Sequence, residues 1–150
     1  MPCRYQSWTT TQTLAEGLAE YYAANPTFAG EADFLGQPRA TVMAHDACHV
    51  LLGLGPSSEE ELVVETFTAL GCSFPFRELV AFRKKAFATE LLRIFGVRRL
   101  LRRLVLSSPR VLRAAWVCLR MPKRWPHQEW QPYQDVPLAQ LRRQFGLRPL

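Results

Sequence analysis

The 150 residues are 48% hydrophobic and 11% aromatic, which suits one domain with a single buried core and excludes a disordered chain. No run reaches the roughly 18 uninterrupted apolar residues of a membrane span, and the opening "MPCRYQSWTTTQT" lacks the apolar stretch of a secretory signal. The net charge of +6 is divided unevenly: residues 1–82 carry net −7, residues 83–124 net +12 and residues 125–150 net +1, so the middle segment predicts an anionic partner.

Helical signals dominate along the chain. Thr13 and Glu16 make a capping box ahead of "LAEGLAEYYAAN", and Pro26 stops that helix. Pro38 suits the first helical position of a segment to about Leu54, closed by Gly55-Pro56. Ser57 or Ser58, with Glu60 or Glu61 three residues on, caps a helix that should end near Gly71. Pro75 opens a segment to about Phe95, "VRRLLRRLVL" follows, and Ser107-Ser108-Pro109 breaks the pattern. "RVLRAAWVCLRM" reads as helix up to Pro122. Residues 122–134, rich in Pro and Trp, read as irregular, and Pro137 opens a short closing helix, "LAQLRRQF", ended by Gly146. Alternating strand patterns and hairpin turns are scarce. The expected fold is therefore all-α: a single domain over residues 1–150, a bundle of about six to seven antiparallel helices with an irregular Trp/Pro-rich C-terminal segment.

The four cysteines, Cys3, Cys48, Cys72 and Cys118, are far apart and form no CxxC pair. They read as reduced thiols, not as a disulfide framework or a four-cysteine zinc site. Chemistry concentrates instead in "HDACHVLLGLGPSSEEE", which runs from His45 to Glu61. On a helix His45 and His49 lie about 40° apart and one turn from each other, with Asp46 about 60° from His49. All three can converge on a point beside the helix, and the i, i+4 histidine pair is the geometry of zinc proteases. The Gly-Pro-Ser-Ser turn should return the chain antiparallel and bring Glu61 to the depth of His49. Glu59 and Glu60 face elsewhere, as cap and surface, and Glu65 is a carboxylate one turn further on. Imidazoles with a carboxylate suit zinc, and also iron, cobalt or manganese. The alternative is a polar patch, with Asp46 in a surface pair and the glutamates at the positive end of a helix. The apolar setting "VMAHDACHVLLGL" favours the metal, because buried charged groups need partners or ions. A HExxH protease does not fit, since Asp46 stands where that motif has its Glu base. A phosphohydrolase with an adjacent His-Asp pair does not fit either, since no histidine precedes His45. His127, in the Trp/Pro-rich stretch, is a distant further ligand candidate.

This constellation resembles the signature of the ubiquinone (coenzyme Q) biosynthesis protein family Coq-four: His-Asp, two residues, His, eleven residues, Glu. Here it reads His45, Asp46, His49 and Glu61 without a gap. The likeness runs on through "HVLLGLGPSSEEELVVETFTALGCSFPF" and returns at "YQDVPLAQLRRQFGL", and is strongest over residues 38–80. The chain is short for that family and shows no mitochondrial presequence pattern, which points to a bacterial-type member. The resemblance implies a helical, metal-dependent protein of coenzyme Q synthesis, cytoplasmic and peripherally membrane-associated. It implies His45, Asp46, His49 and Glu61 as ligands of a divalent metal ion, zinc foremost. It implies oxidative decarboxylation, with carboxyl replaced by hydroxyl, of a polyprenylated aromatic quinone precursor. The alternative role is a non-catalytic lipid-binding scaffold that organises other quinone-biosynthesis enzymes around a structural metal.

A polyprenyl chain needs a long apolar pocket, and Phe67, Phe74, Phe76, Phe82 and Phe87 fall close together in the chain, as pocket lining or as ordinary core. Arg98, Arg99, Arg102 and Arg103 form one helical face and Leu100, Leu101, Leu104 and Val105 the other, the pattern of an interfacial helix on an anionic membrane surface. A solvated basic face packed on the core is the plainer reading. Arginines such as Arg98 and Arg102 also suit a prenyl phosphate or a ring carboxylate. Trp116, Trp125 and Trp130 suit interfacial anchors. Nucleic acid is disfavoured, since aromatic and basic residues are not interleaved for base stacking. Exposed apolar helix faces would allow a homodimer.

Overall fold

Thr13 begins the first helix as its sequence requires. Its side chain accepts from the Glu16 amide (3.2 Å) while the Glu16 carboxylate accepts from the Thr13 amide (2.8 Å), so two helix-end N–H groups find partners. The helix α1 spans Leu14–Ala24. The structure, a computed structural model, describes residues 2–27, 38–73 and 109–150. Four further α-helices occur among these residues: α2 (Arg39–Leu52), α3 (Ser58–Gly71), α4 (residues 109–119) and α5 (Leu138–Gln144). The architecture is all-α as expected. The helices expected between Pro75 and Ser107, with Phe74, Phe76, Phe82, Phe87, Arg98 and Arg102, lie outside the described residues.

The second helix, α2, ends earlier than the expected Leu54. Gly53 adopts φ +70°, its amide donates to Val50 O (3.1 Å), and the Leu54 amide donates to His49 O (2.9 Å). A left-handed residue with these two bonds closes a helix, and glycine adopts it without strain. The next helix restarts at Ser57, whose side chain accepts from the Glu60 amide. Residues 53–57 thus turn the chain back and lay α3 beside α2.

Two short features depart from the expectation. Cys72–Ser73 (β1) and Trp125–Pro126 (β2) form a parallel two-residue ladder, Cys72 opposite Trp125 and Ser73 opposite Pro126. Residues this few carry no alternation to read, and Pro126 itself argues against a strand. A single-turn 3₁₀ helix, Arg4–Gln6, precedes α1.

The core is built around α2. From Ala44 to Leu52 only His45 is not buried, and α1, α3 and α5 all pack against this helix. Gly17 lets α1 approach closely: a Cβ there would stand 2.6 Å from Val50 Cγ1. The far end of the core holds Trp125 against Phe145, ring centroids 5.0 Å apart. Trp125 and Trp130 are therefore buried aromatic packing, which corrects their reading as interfacial anchors; Trp116, 47% exposed, keeps that option. Phe67 is 1% exposed, within the core cluster.

Arg142 is the least expected core residue, 1% exposed. Its guanidinium donates to Leu51 O (2.9 Å) and Val50 O (3.1 Å), carbonyls at the end of α2, and to Tyr5 O and Ser7 O (both 2.6 Å). It also lies over the Trp8 ring at 4.7 Å. Burial pulls its pKa down to about 10, still well above neutrality. One buried cation thus joins the N-terminal segment, α2 and α5, and donates to carbonyls at the C-terminal end of α2.

Candidate metal centre

Three side chains from the adjacent helices α2 and α3 meet at one point. His45 Nε2 lies 2.8 Å from Glu61 Oε1, His49 Nε2 lies 3.1 Å from Glu61 Oε2, and the two Nε2 atoms lie 3.2 Å apart. The turn before α3 assigns the glutamates their separate tasks. Glu60 Oε2 accepts from the Gly55 amide (3.2 Å) and from the Ser57 hydroxyl (2.9 Å), holding the connection closed. Glu61, one residue on and about 100° around the axis, faces α2. His49 is 1% exposed, while the side chains of His45 and Glu61 remain 23% and 35% accessible, so the cluster is partly open to solvent.

The electrostatics follow from this contact. Burial acts to lower the His45 pKa, but the hydrogen bond and charge of Glu61 outweigh it and hold the imidazole up at about 9. Burial acts to raise Glu61, but hydrogen bonds from His45 and His49 and their charge hold it well below the usual carboxylate range. Burial pushes Glu65 up, with the charge of His45 opposing. His49 Nδ1 is buried without a hydrogen-bond partner among the described residues, and the ring is oriented by packing: it stacks on Tyr21, centroids 5.6 Å apart and planes 27° apart.

The donor set fits a divalent cation. One donor atom each from His45, His49 and Glu61 lies within 4.8 Å of the other two. Two nitrogens and a carboxylate oxygen form a set that zinc or ferrous iron accepts, with positions left for other ligands. Two Nε2 atoms that face each other and one carboxylate form a poor hydrogen-bond set: if both carry protons the two N–H groups crowd each other. A cation between them uses both lone pairs at once.

Asp46 stands apart from the three. It is 4% exposed and its Oδ2 accepts from the Tyr22 hydroxyl at 2.9 Å. Burial pushes its pKa up, and the Tyr22 hydrogen bond opposes the rise. Of the four residues expected to converge, His45, His49 and Glu61 come together, while Asp46 is hydrogen-bonded to Tyr22 of α1. His127 is also outside the trio: it is 3% exposed and lies beside Cys48, where it acts with Cys72 to lower the Cys48 pKa against the effect of burial. Tyr21 and Tyr22, which back the site from α1, were not singled out by the sequence reading. Their only signal is indirect, in the small Gly17 that lets α1 close on α2.

No helix among the described residues is long and apolar enough to cross a membrane. The chain matches no protein-family model, no curated protein and no solved structure.

Proposed function

We propose that the protein is a metal-dependent enzyme of quinone synthesis, which replaces the ring carboxyl of a polyprenylated aromatic precursor by hydroxyl at a membrane surface. The observation that carries the metal part is the convergence of His45, His49 and Glu61 within 4.8 Å. The substrate part rests on the resemblance of the His45, Asp46, His49 and Glu61 spacing to the Coq-four signature. A bound divalent ion would supply Lewis-acid or redox chemistry at the open positions. The residues of the chain do the rest. His49 is fixed by its stack on Tyr21, Glu61 brings the negative charge that favours a cation, and Tyr22 holds Asp46 at the edge of the site. The accessible sides of His45 and Glu61 give a substrate its approach.

A surface role has separate support. Leu112, Trp116 and Leu119 are exposed at i, i+4 and i+7 on α4, beside Arg113 and Arg120. A helix face of this kind suits peripheral contact with anionic lipid.

The test is turnover and metal content on one sample. Purified protein loaded with ferrous iron, supplied with oxygen, ascorbate as the two-electron reductant and a short-chain prenylated hydroxybenzoate, should release carbon dioxide and form the ring-hydroxylated product, with the second oxygen atom leaving as water. The Glu61→Gln variant should lose both bound metal and product. Metal bound and precursor bound, with no carbon dioxide released, would instead favour the scaffold role.

A further inference from the structure

Away from the metal centre, the end of α4 and the C-terminal segment enclose a cleft of about 330 Å³. Its lining includes Trp116 and Arg120 from the α4 side, and Arg143, Gly146, Leu147 and Arg148 from the α5 side. Among the described residues, no acidic side chain lines it. The Arg120 guanidinium lies 4.1 Å over the Trp116 ring, which preorganises it. None of the three arginines is in an ion pair with a carboxylate among the described residues. Three arginines lining one concavity, without a carboxylate partner among the described residues, create a positive potential that is relieved by an anion, and the planar guanidinium fork matches phosphate oxygens.

The cleft does not end in polar surface. Trp116 is both a wall of the cleft and the middle of the exposed apolar stripe on α4, between Leu112 (69% exposed) and Leu119 (72% exposed). A ligand with a phosphate in the cleft can therefore lay an apolar body along Trp116 and its neighbours. We infer that this cleft is a binding site for a phosphate-bearing amphiphile, with Arg120, Arg143 and Arg148 on the phosphate and Trp116 against the apolar part. The site shares no residue with His45, His49 or Glu61 and stands independently of the metal reading.

Free amphiphilic phosphates and membrane phospholipids share this chemistry, and a titration separates them. Trp116 is far more exposed than the buried Trp125 and Trp130, so the emission change lost in Trp116→Phe reports the cleft. The full-length protein is titrated with decyl phosphate below its micelle concentration, with inorganic pyrophosphate, and with phosphatidylcholine vesicles with and without phosphatidic acid. Decyl phosphate should shift the emission saturably, and the exposed double variant Arg143→Gln/Arg148→Gln, matched to wild type in circular dichroism and melting, should bind at least about tenfold more weakly. A response to phosphatidic acid vesicles alone, lost in the double variant, supports the site with a lipid headgroup as its source. Pyrophosphate binding as tightly as decyl phosphate overturns the amphiphile assignment. Equal binding by wild type and double variant, or no response to either amphiphile, overturns the site.

Discussion

His45 and His49 present their Nε2 atoms to each other at 3.2 Å, with a different oxygen of Glu61 beside each. No arrangement of protons serves all three contacts well, and a divalent cation serves them at once. Removal of a ligand should therefore cost more than removal of an outer partner, which typically weakens a metal site by about 10–100-fold. His49→Ala and Glu61→Gln should each weaken zinc binding by more than ~100-fold, measured by chelator competition with elemental analysis of the dialysed protein. Wild-type affinity in both variants would remove the metal centre from consideration.

The same contact sets the pH dependence of loading. With Glu61 alongside, His45 keeps its proton up to about pH 9 in the metal-free protein, against an ordinary value of 6.5. A metal ion must displace that proton, so binding near neutrality should release about one proton per ion, and affinity should climb about tenfold per pH unit before levelling above about pH 9. Calorimetry in buffers of different ionisation heat counts the proton. For the metal-free fold the sign is reversed at the alkaline side. A raised histidine pKa stabilises the fold fully below 6.5, and this contribution fades as pH rises through about 9. The depressed Glu61 adds stability above the ordinary carboxylate value of 4.5 that is lost in acid. A metal-free sample whose melting temperature rose between pH 7 and 9 would contradict the His45–Glu61 pairing.

Local chemistry made much of this legible in the chain. The Thr13–Glu16 box, the Ser57 cap and the reversal before Glu61 rest on bonds between residues a few positions apart, so sequence spacing reports them. The His45, His49 and Glu61 meeting follows from helix periodicity plus one short turn. What sequence could not report depends on long-range packing. Trp125 and Trp130 look like surface anchors until Tyr133 and Phe145 are placed around Trp125. Asp46 looks like a fourth ligand until α1 brings Tyr22 to it. Arg142 lies in an arginine-rich closing helix and reads as surface charge, yet its partners are more than 90 residues away in the chain.

Arg142 makes the sharpest stability prediction. Four buried or half-buried backbone carbonyls accept from its guanidinium, and hydrogen bonds to a charged donor are worth about 1.5–3 kcal/mol each. Arg142→Met preserves the stem and removes every donor, and should cost more than about 3 kcal/mol by urea denaturation. Arg142→Lys keeps the charge but not the fork, and should recover only part of that loss. The neighbouring exposed Arg143, changed to Met, should shift the midpoint little. Equal midpoints for the Arg142 and Arg143 variants would deny the buried network its role.

Tyr22 tests how far Asp46 belongs to the metal centre. Its hydroxyl donates to Asp46 Oδ2 at 2.9 Å, and the carboxylate is otherwise sheltered from water at 4% exposure. Tyr22→Phe deletes the donor and keeps the ring, which leaves a buried acceptor short of a partner at a cost of about 1–3 kcal/mol at neutral pH. The cost should shrink in acid, because burial already pushes the Asp46 pKa up and a protonated carboxyl needs the donor less. Asp46 also acts on His45 and His49 through its charge, so freeing it to reorient should disturb the cation as well, and a loss of about tenfold in zinc affinity is expected for Tyr22→Phe. Combining Tyr22→Phe with Asp46→Asn separates the two effects. If Asp46 supports the cation and Tyr22 supports Asp46, the double variant should bind zinc no more weakly than Asp46→Asn alone, since Tyr22 then has nothing left to hold. Full affinity in Tyr22→Phe, with stability lowered, would confine the Tyr22–Asp46 pair to joining α1 and α2.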